Sequence, residues 1–325
     1  MKIRTSVYSL TVAICTCAAI SANAGAQQAY PNRAIRIVSP YTAGGSSGNQ
    51  ARLLARKLNE SWGQPVIVDD RPGGNTIIGS EFVAKAAPDG YTLLWQTSAH
   101  ISNPHLFRTP YDAIKDFAPV ATFSSTEQLL VLHPSVPAEN LQQFIALAKS
   151  KPGSLNYASS GIGSIPHLSA ELFSNMTGAK IQHVPYKGVS QATTDLIAGQ
   201  VQLAFQSTVS AIQFVQSGKL KALAVSGDKR LSALPDVPTF AQAGLTGFDA
   251  RFWFGIFAPA GTPREIVDKL SAEVARVLAM PDVKAYLAAQ GLDPFVTTPD
   301  QYATVLKMDS EKYEKLIKAN DIKAE

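Results

Sequence analysis

Two loops of the same make stand far apart in this chain. Pro40-Tyr-Thr-Ala-Gly-Gly-Ser-Ser-Gly48 follows an apolar run over 35–39, and Tyr157-Ala-Ser-Ser-Gly-Ile-Gly-Ser-Ile-Pro166 follows residues 154–156. Each opens into a helical pattern, over 50–58 and 165–176. A strand–loop–helix turn of this kind gathers unpaired backbone N–H groups and the positive end of a helix dipole at one point. Glycine lets an anion approach the backbone closely, and Ser and Thr hydroxyls add rotatable donors. Facing each other, the two loops would form a pincer for a small molecule bearing carboxylates.

Other chemistries fit less well. Gly44-Gly-Ser46-Ser-Gly48 satisfies G-x-S-x-G, which would make Ser46 a hydrolase nucleophile. A triad then needs Asp and His downstream, and His133, His167 and His183 stand in no segment that announces that role. A secreted serine hydrolase is the lesser alternative, and no enzyme is expected. Five His and no H-E-x-x-H argue against a metal. Gly161-Ile-Gly163 meets Pro166 where a dinucleotide fingerprint needs its third glycine, so no cofactor is expected.

The elements that must hold the loops alternate. Strand patterns fall at 35–39, 65–69, 91–96, 118–123, 129–133, 155–158, 181–186, 202–206 and 221–226, with helical patterns at 141–148, 190–197 and 208–215. Short apolar strands alternating with helices predict an α/β fold of mainly parallel sheets flanked by helices. Towards the C-terminus, Thr262-Pro-Arg-Glu265 and Thr298-Pro-Asp-Gln301 both read as capping boxes. The stretch 251–258 reads as a buried strand, with Tyr41, Trp253 and Phe254 as cleft wall or core. If the chain returns there to the first domain, that domain is discontinuous: 27–124 with 250–325, and 125–249 as the second. Two crossing segments would then act as a hinge that closes the pincer.

The chain's beginning predicts export. Lys2 and Arg4 precede a short apolar run over 10–20, and Ala22-Asn-Ala24 and Ala24-Gly-Ala26 are overlapping small-x-small cleavage sites. Residues 1–26 read as a signal peptide cleaved near Ala24 or Ala26, and the product as periplasmic. Both cysteines, Cys15 and Cys17, lie inside this leader. The net charge of +4 drops by the two charges of Lys2 and Arg4 to +2, which is no nucleic-acid footprint.

The motifs, in order, resemble a known family. They are Pro40-Tyr-Thr-Ala-Gly-Gly45, Val68-Asp-Asp-Arg-Pro-Gly-Gly74, Asp89-Gly-Tyr-Thr92, Tyr157-Ala-Ser-Ser-Gly161 and His183-Val-Pro-Tyr-Lys-Gly188. Gly218-Lys-Leu-Lys-Ala-Leu-Ala224, Leu234-Pro-Asp-Val-Pro-Thr239 and Phe257-Ala-Pro-Ala-Gly-Thr-Pro263 continue the series. Together they resemble the solute-binding component of tripartite tricarboxylate transporters, the TctC or Bug type. The resemblance implies a two-domain periplasmic-binding-protein-like fold with the ligand cleft between domains. It also implies a monomer that delivers a di- or tricarboxylate or an aromatic acid to a permease of one large and one small membrane subunit. A sensing protein that presents its closed form to a signalling receptor is the alternative.

The ligand-binding residues carried over are Thr42, Ala43, Gly44, Gly45 and Ser46 from the first loop and Ser159, Ser160, Gly161, Gly163 and Ser164 from the second. Tyr41, His167 and Gln206 join them as candidates, with Lys187 a weaker one and Arg71 read as a structural ion-pair partner. The chain departs from the family pattern at Gly48 and at Gln206, where an acid is frequent. A neutral Gln206 suits a carboxylate or hydroxyl better than an ammonium, because a buried cation needs a paired charge.

Overall fold

Eleven strands among the described residues sort into two sheets, and the sorting follows the chain. The computed structural model describes residues 30–186 and 188–323; the predicted leader, its cleavage sites and Lys187 lie outside them. The first stretch runs β1 (Ile35–Ser39), α1 (Ser46–Trp62), β2 (Val66–Asp70), α2 (Ile77–Ala84), β3 (Thr92–Thr97), α3 (Ala99–Leu106) and β4 (Phe117–Thr126). Next come β5 (Gln128–Leu132), α4 (Leu141–Ser150), β6 (Asn156–Ser159), α5 (Ile165–Thr177), β7 (Gln182–Pro185) and α6 (Val189–Ile197). They are followed by β8 (Leu203–Ser207), α7 (Thr208–Gln216) and β9 (Lys221–Val225). The chain ends with β10 (Phe252–Pro259), α8 (Arg264–Ala279), α9 (Pro281–Ala289), β11 (Asp293–Pro294) and α10 (Pro299–Ala319).

Sheet one has the order β11-β4-β10-β3-β1-β2 and sheet two the order β7-β6-β8-β5-β9. In each sheet most strands run one way, as expected, with a minority reversed. β1 runs parallel to β2 and β3, but β10 is antiparallel to β3 and β4. β6 is parallel to β7 and β8, but β5 is antiparallel to β8 and β9. Of the reversed strands, β5 and β10 each directly follow a crossing between the sheets, and the two-residue β11 lies at the edge of sheet one. β4 and β5 lie either side of the first crossing, β9 and β10 either side of the second.

Strand alternation builds the cores. Ile35 and Ile37 face Leu54 and Leu58 of α1 and Val274 and Leu278 of α8, whereas Val38 and Leu94 face Ile101 of α3 and Tyr302 and Leu306 of α10. In sheet two, Leu130, Leu132 and Phe205 pack on Phe144 of α4 and Phe173 of α5, while Leu129, Val131 and Ala204 pack on Ala192 and Leu196 of α6. Ile165 and Leu168 of α5 join the core that holds Tyr302 and Leu306, so α5 packs towards sheet one as well. Trp253 and Phe254 are core, with Trp253 Nε1 donating to Asp309 Oδ2 at 2.8 Å. Arg71 pairs with Asp69 at 2.9 Å, as expected.

The crossings are short and tied together. Glu127 is the one residue between β4 and β5. Its Oε2 accepts from Ser226 Oγ at 2.6 Å, and Arg251 Nε lies 3.6 Å from its Oε1. Ser226 directly follows β9 and Arg251 directly precedes β10, so one carboxylate touches both ends of the second crossing.

Of the two predicted capping boxes, one is present. Thr298 Oγ1 accepts from Gln301 N at 3.2 Å, and Gln301 Oε1 accepts from Thr298 N at 2.9 Å. Thr262 instead donates to Pro259 O at 2.7 Å, leaving Pro263 as the uncapped boundary of α8. Thr298→Ala should therefore lower stability by about 1 kcal/mol in urea unfolding, with the far-ultraviolet spectrum of the folded protein unchanged.

Candidate functional site

The carboxyl ends of four strands meet one cavity of about 280 Å³. Sheet one and its connections contribute Tyr41, Thr97, Ala99, Ser102 and Phe252. Sheet two contributes Gln128, Ala158 to Ser160, Gly163 to Pro166, Val189, Ala192, Ala204 to Ser207 and Ser210. Tyr41 follows β1, Thr97 ends β3, Ser159 ends β6 and Ser207 ends β8. Cavities outside the carboxyl ends of α/β strands are the usual ligand positions of such sheets.

Each of these walls passes into a helix. The first turns of α3, α5, α6 and α7 line the cavity through Ala99, Ile165, Val189 and Ser210. None of the four has a side-chain cap, and none carries an acid in its first turn. Of the other helices, α4 is capped by Asn140 and α10 by Thr298, and α8, α9 and α10 begin with Glu265, Asp282 and Asp300, while α1 and α2 also lack both cap and acid. No described residue lining the cavity is charged. The cavity is thus electropositive through peptide dipoles, each helix end acting as roughly half a positive charge.

The second loop is braced from behind by aromatic stacking. Gly163 N donates to His167 Nδ1 at 2.9 Å, and the His167 ring stacks on His183 with centroids 4.0 Å apart. His183 stacks in turn on Tyr157 at 4.8 Å, and its Nε2 lies 2.6 Å from Ser159 Oγ. Gly161 N donates to Ser159 Oγ and Gly161 O accepts from Ser164 Oγ, closing the turn on itself. Gly161 and Gly163 have φ of +127° and +75°, and a Cβ on Gly163 would run into Leu106 of α3. Burial, with His183 adding to it, pushes the His167 pKa down to about 3; burial takes His183 to about 4. Both rings are neutral at neutral pH. His167, although 3.9 Å from Glu171, forms no ion pair there.

On the sheet-one side, Tyr41 donates to Gln96 Oε1 and lies 2.7 Å from Thr97 Oγ1. Gln96 Nε2 continues to Thr76 Oγ1 and Ser80 Oγ, so the Tyr41 hydroxyl rests on a buried polar chain.

Of the residues singled out in the sequence, Tyr41, Ser159, Ser160, Gly163, Ser164 and Gln206 line the cavity. Thr42, Ala43, Gly44, Gly45 and Ser46 do not: the chain turns outward after the anchored Tyr41 ring and leaves them exposed. Gly161 and His167 stand behind the wall, where they shape the loop. Thr97, Ala99, Ser102, Gln128, Ser207 and Ser210 are additional lining residues. Their common signal, a strand end running straight into a helix start, is readable at 97–99 and 207–208 but carries no glycine to mark it. Among the described residues no group of three His, Cys, Asp or Glu could hold a metal.

The histidine stack has a pH signature. An imidazole whose pKa is depressed in the folded state gives its full stability above the unfolded value, about 6.5, and loses it as pH falls towards the folded one. His100, buried and taken to about 4 by burial, acts in the same sense. Glu127 and Glu171, raised by burial, act in the opposite sense. A His183→Asn variant isolates the stack: its melting temperature should fall less steeply than the parent's between pH about 6.5 and about 4.

Comparison with known proteins shows the family. Residues 50–322 match the family described as "Tripartite tricarboxylate transporter family receptor". BugT of Bordetella pertussis is 38% identical over 275 residues, covering 84% of this chain and 84% of its own. A Rhodopseudomonas palustris protein solved with adipate is 34% identical with a TM-score of 0.76, over 90% of this chain and 99% of its own. MatC from the same organism, with bound malate, is 32% identical with a TM-score of 0.73, over 89% of this chain and 100% of its own. The family and these neighbours are solute-binding proteins rather than enzymes. The resemblance read from the motifs is borne out, and the chain belongs to the TctC family of periplasmic solute-binding receptors.

Proposed function

We propose that this protein binds a small carboxylate in the cavity between its two sheets and delivers it to a membrane permease of one large and one small subunit. The observation that carries the carboxylate is the convergence of four uncapped, acid-free helix N-termini on a cavity without a charged side chain among its described residues. Such ends hold an anion without a counter-cation, since N–H groups and dipoles supply the compensation. Two structural relatives bind adipate and malate, which are acids of suitable size. The leader over 1–26 would place the protein in the periplasm.

Closure fits the same arrangement. The two sheets join at Glu127 and at the 226–251 crossing. Residues 42–46 continue from Tyr41 in the wall, so rotation about these crossings would bring the exposed loop over a bound acid. The ligand favours the closed state to the extent that it touches both halves.

The test uses protein freed of bound ligand by unfolding and refolding, melted in the presence of carboxylates, the corresponding amides, amino acids and sugars. A micromolar ligand at millimolar concentration adds about 4 kcal/mol. Carboxylates alone should raise the melting temperature, by several degrees. A shift from sugars or amides, with none from any carboxylate, refutes the reading. Gly44 has φ +86°, and a Cβ added there would meet no heavy atom within 4 Å. Gly44→Val should therefore lower the ligand-free melting temperature by a few degrees, through strain at that φ alone, yet weaken carboxylate binding about tenfold or more by straining the closing loop. Unchanged affinity would remove residues 42–46 from the site.

A further inference from the structure

Asn75 and Thr76, which directly follow the motif at 68–74, both stand in the left-handed region, with φ of +52° and +74°. Asparagine tolerates that region, but a β-branched residue there is a genuine outlier. Strain of this kind persists only where the surroundings hold it, and it collects at functional positions. Thr76 does not line the cavity. Its Oγ1 accepts from Gln96 Nε2 at 2.9 Å and from Asn103 Nδ2 at 3.2 Å, and its carbonyl accepts from Ser80 Oγ at 3.0 Å.

These bonds lead to the cavity. Gln96 is fully buried, and Thr97 N donates to its Oε1 at 2.9 Å. A backbone N–H can only donate, so the atom facing it is oxygen and the main chain fixes the orientation of the amide. Nε2 therefore turns to Thr76 and to Ser80, the latter at 3.1 Å. The Tyr41 hydroxyl meets the carbonyl oxygen and must be the donor. Burial raises the Tyr41 pKa, so the phenol keeps the proton this bond uses. All four bonding positions of the Gln96 amide are thereby filled.

A second contact joins the same two segments. Gly79, in the first turn of α2, packs so closely on Pro40 that an added Cβ would come within 2.8 Å of Pro40 Cβ and 3.0 Å of Arg71 O. Arg71 N also donates to Ser39 O at 2.8 Å. Residues 71–80 thus hold Ser39 by backbone, Pro40 by packing and Tyr41 through an amide. We propose that Thr76 is a positioning residue for ligand binding: through Gln96 it fixes the Tyr41 hydroxyl, and with it the ring in the cavity wall and the point from which residues 42–46 depart. This relay gives the strained turn its role. The inference rests on the carboxylate reading above and names a residue outside the cavity on which that binding depends.

Calorimetric titration of the refolded protein with adipate, malate, succinate and benzoate identifies the acid that binds the parent most tightly, and that acid probes the variants. Thr76→Val keeps the β-branch and removes the acceptor, while Tyr41→Phe removes the hydroxyl at the other end. Each should weaken binding about fivefold or more, the worth of one anchoring hydrogen bond. The double variant should bind no more than about twofold weaker than Tyr41→Phe alone, because a relay already cut at one end loses nothing further. A threonine needed only for folding would instead give multiplied losses or none. Thr76→Ser, which keeps the oxygen, should recover affinity to within about threefold of the parent. If Thr76→Val does not fold, Thr76→Gly, which relieves the left-handed strain and removes the same acceptor, takes its place in the cycle. Parent-like affinity in either single variant overturns the inference. So does a double variant whose loss is the product of the single losses, or a Thr76→Ser variant that binds as poorly as Thr76→Val. Each of these leaves the carboxylate reading standing. Absence of binding by the parent to all four acids sinks both.

Discussion

One buried carboxylate governs how the two sheets are joined. Glu127 leaves only a single residue between β4 and β5, and both its oxygens are turned to the second crossing, at Ser226 and Arg251. Burial raises its pKa, the cost of holding an acid in the interior, and the Ser226 hydroxyl and the Arg251 guanidinium work against that rise. The neighbouring bonds extend the tie into the site. Thr208 N donates to Glu127 O, and Thr208 Oγ1 lies 2.9 Å from Thr126 Oγ1. The N-terminus of α7 is thus fastened to the crossing itself, and Gln128 begins the cavity wall one residue later. The arrangement of sheets and the arrangement of the site are a single construction.

Within that construction the site's electrostatics come from backbone. Four helices begin at the cavity without a hydrogen bond from the side chain of their N-cap residue, although Ala99 N of α3 donates to Thr97 Oγ1 and Thr208 N of α7 to Glu127 O, and the polar side chains around them are largely occupied with the protein. Tyr41 is bonded to Gln96 and Thr97, Ser159 to His183 and Gly161, Ser207 to Ser210. The stack of His167, His183 and Tyr157 performs for the second loop what a disulfide or metal does elsewhere: it fixes a glycine turn that has no side chains of its own to pack. Keeping both imidazoles neutral is part of that role, since a charged ring behind the loop would alter the field at the cavity.

Much of this is legible in the sequence. The strands, the second loop and the Thr298 cap are local: period-two apolar runs, glycines at positive φ, and a hydroxyl three residues before a glutamine each declare themselves within a few residues. The mixed sheets are not legible, because Val, Leu and Ala in β4, β5 and β10 satisfy either strand direction and only the long-range pairing decides. α3 escapes sequence reading for a local reason: over 99–106 it has His100, Ser102 and Asn103 buried and Pro104 inside, so no apolar stripe marks it. The first loop shows the other limit. Its composition is that of an anion-binding turn, yet the position of residues 42–46 relative to the cavity depends on how the two halves are oriented, which no local pattern encodes. Gln206 stands out in the sequence as a replacement for an acid, but its bond to Thr193 of α6 is a long-range contact that no local pattern encodes.

A receptor whose anchor is peptide backbone separates two things that a side-chain anchor would merge. Exchanging an arginine clamp for any other residue abolishes the anchor, whereas almost no single substitution can delete an N–H group at the start of α5 or α6. On the proposed reading, the residues between those helix ends, such as Gln128, Val189 and Gln206, can then be altered while the grip on an acid group persists. The architecture is accordingly one on which new cargo can be acquired by one-step changes without passing through an intermediate that binds nothing.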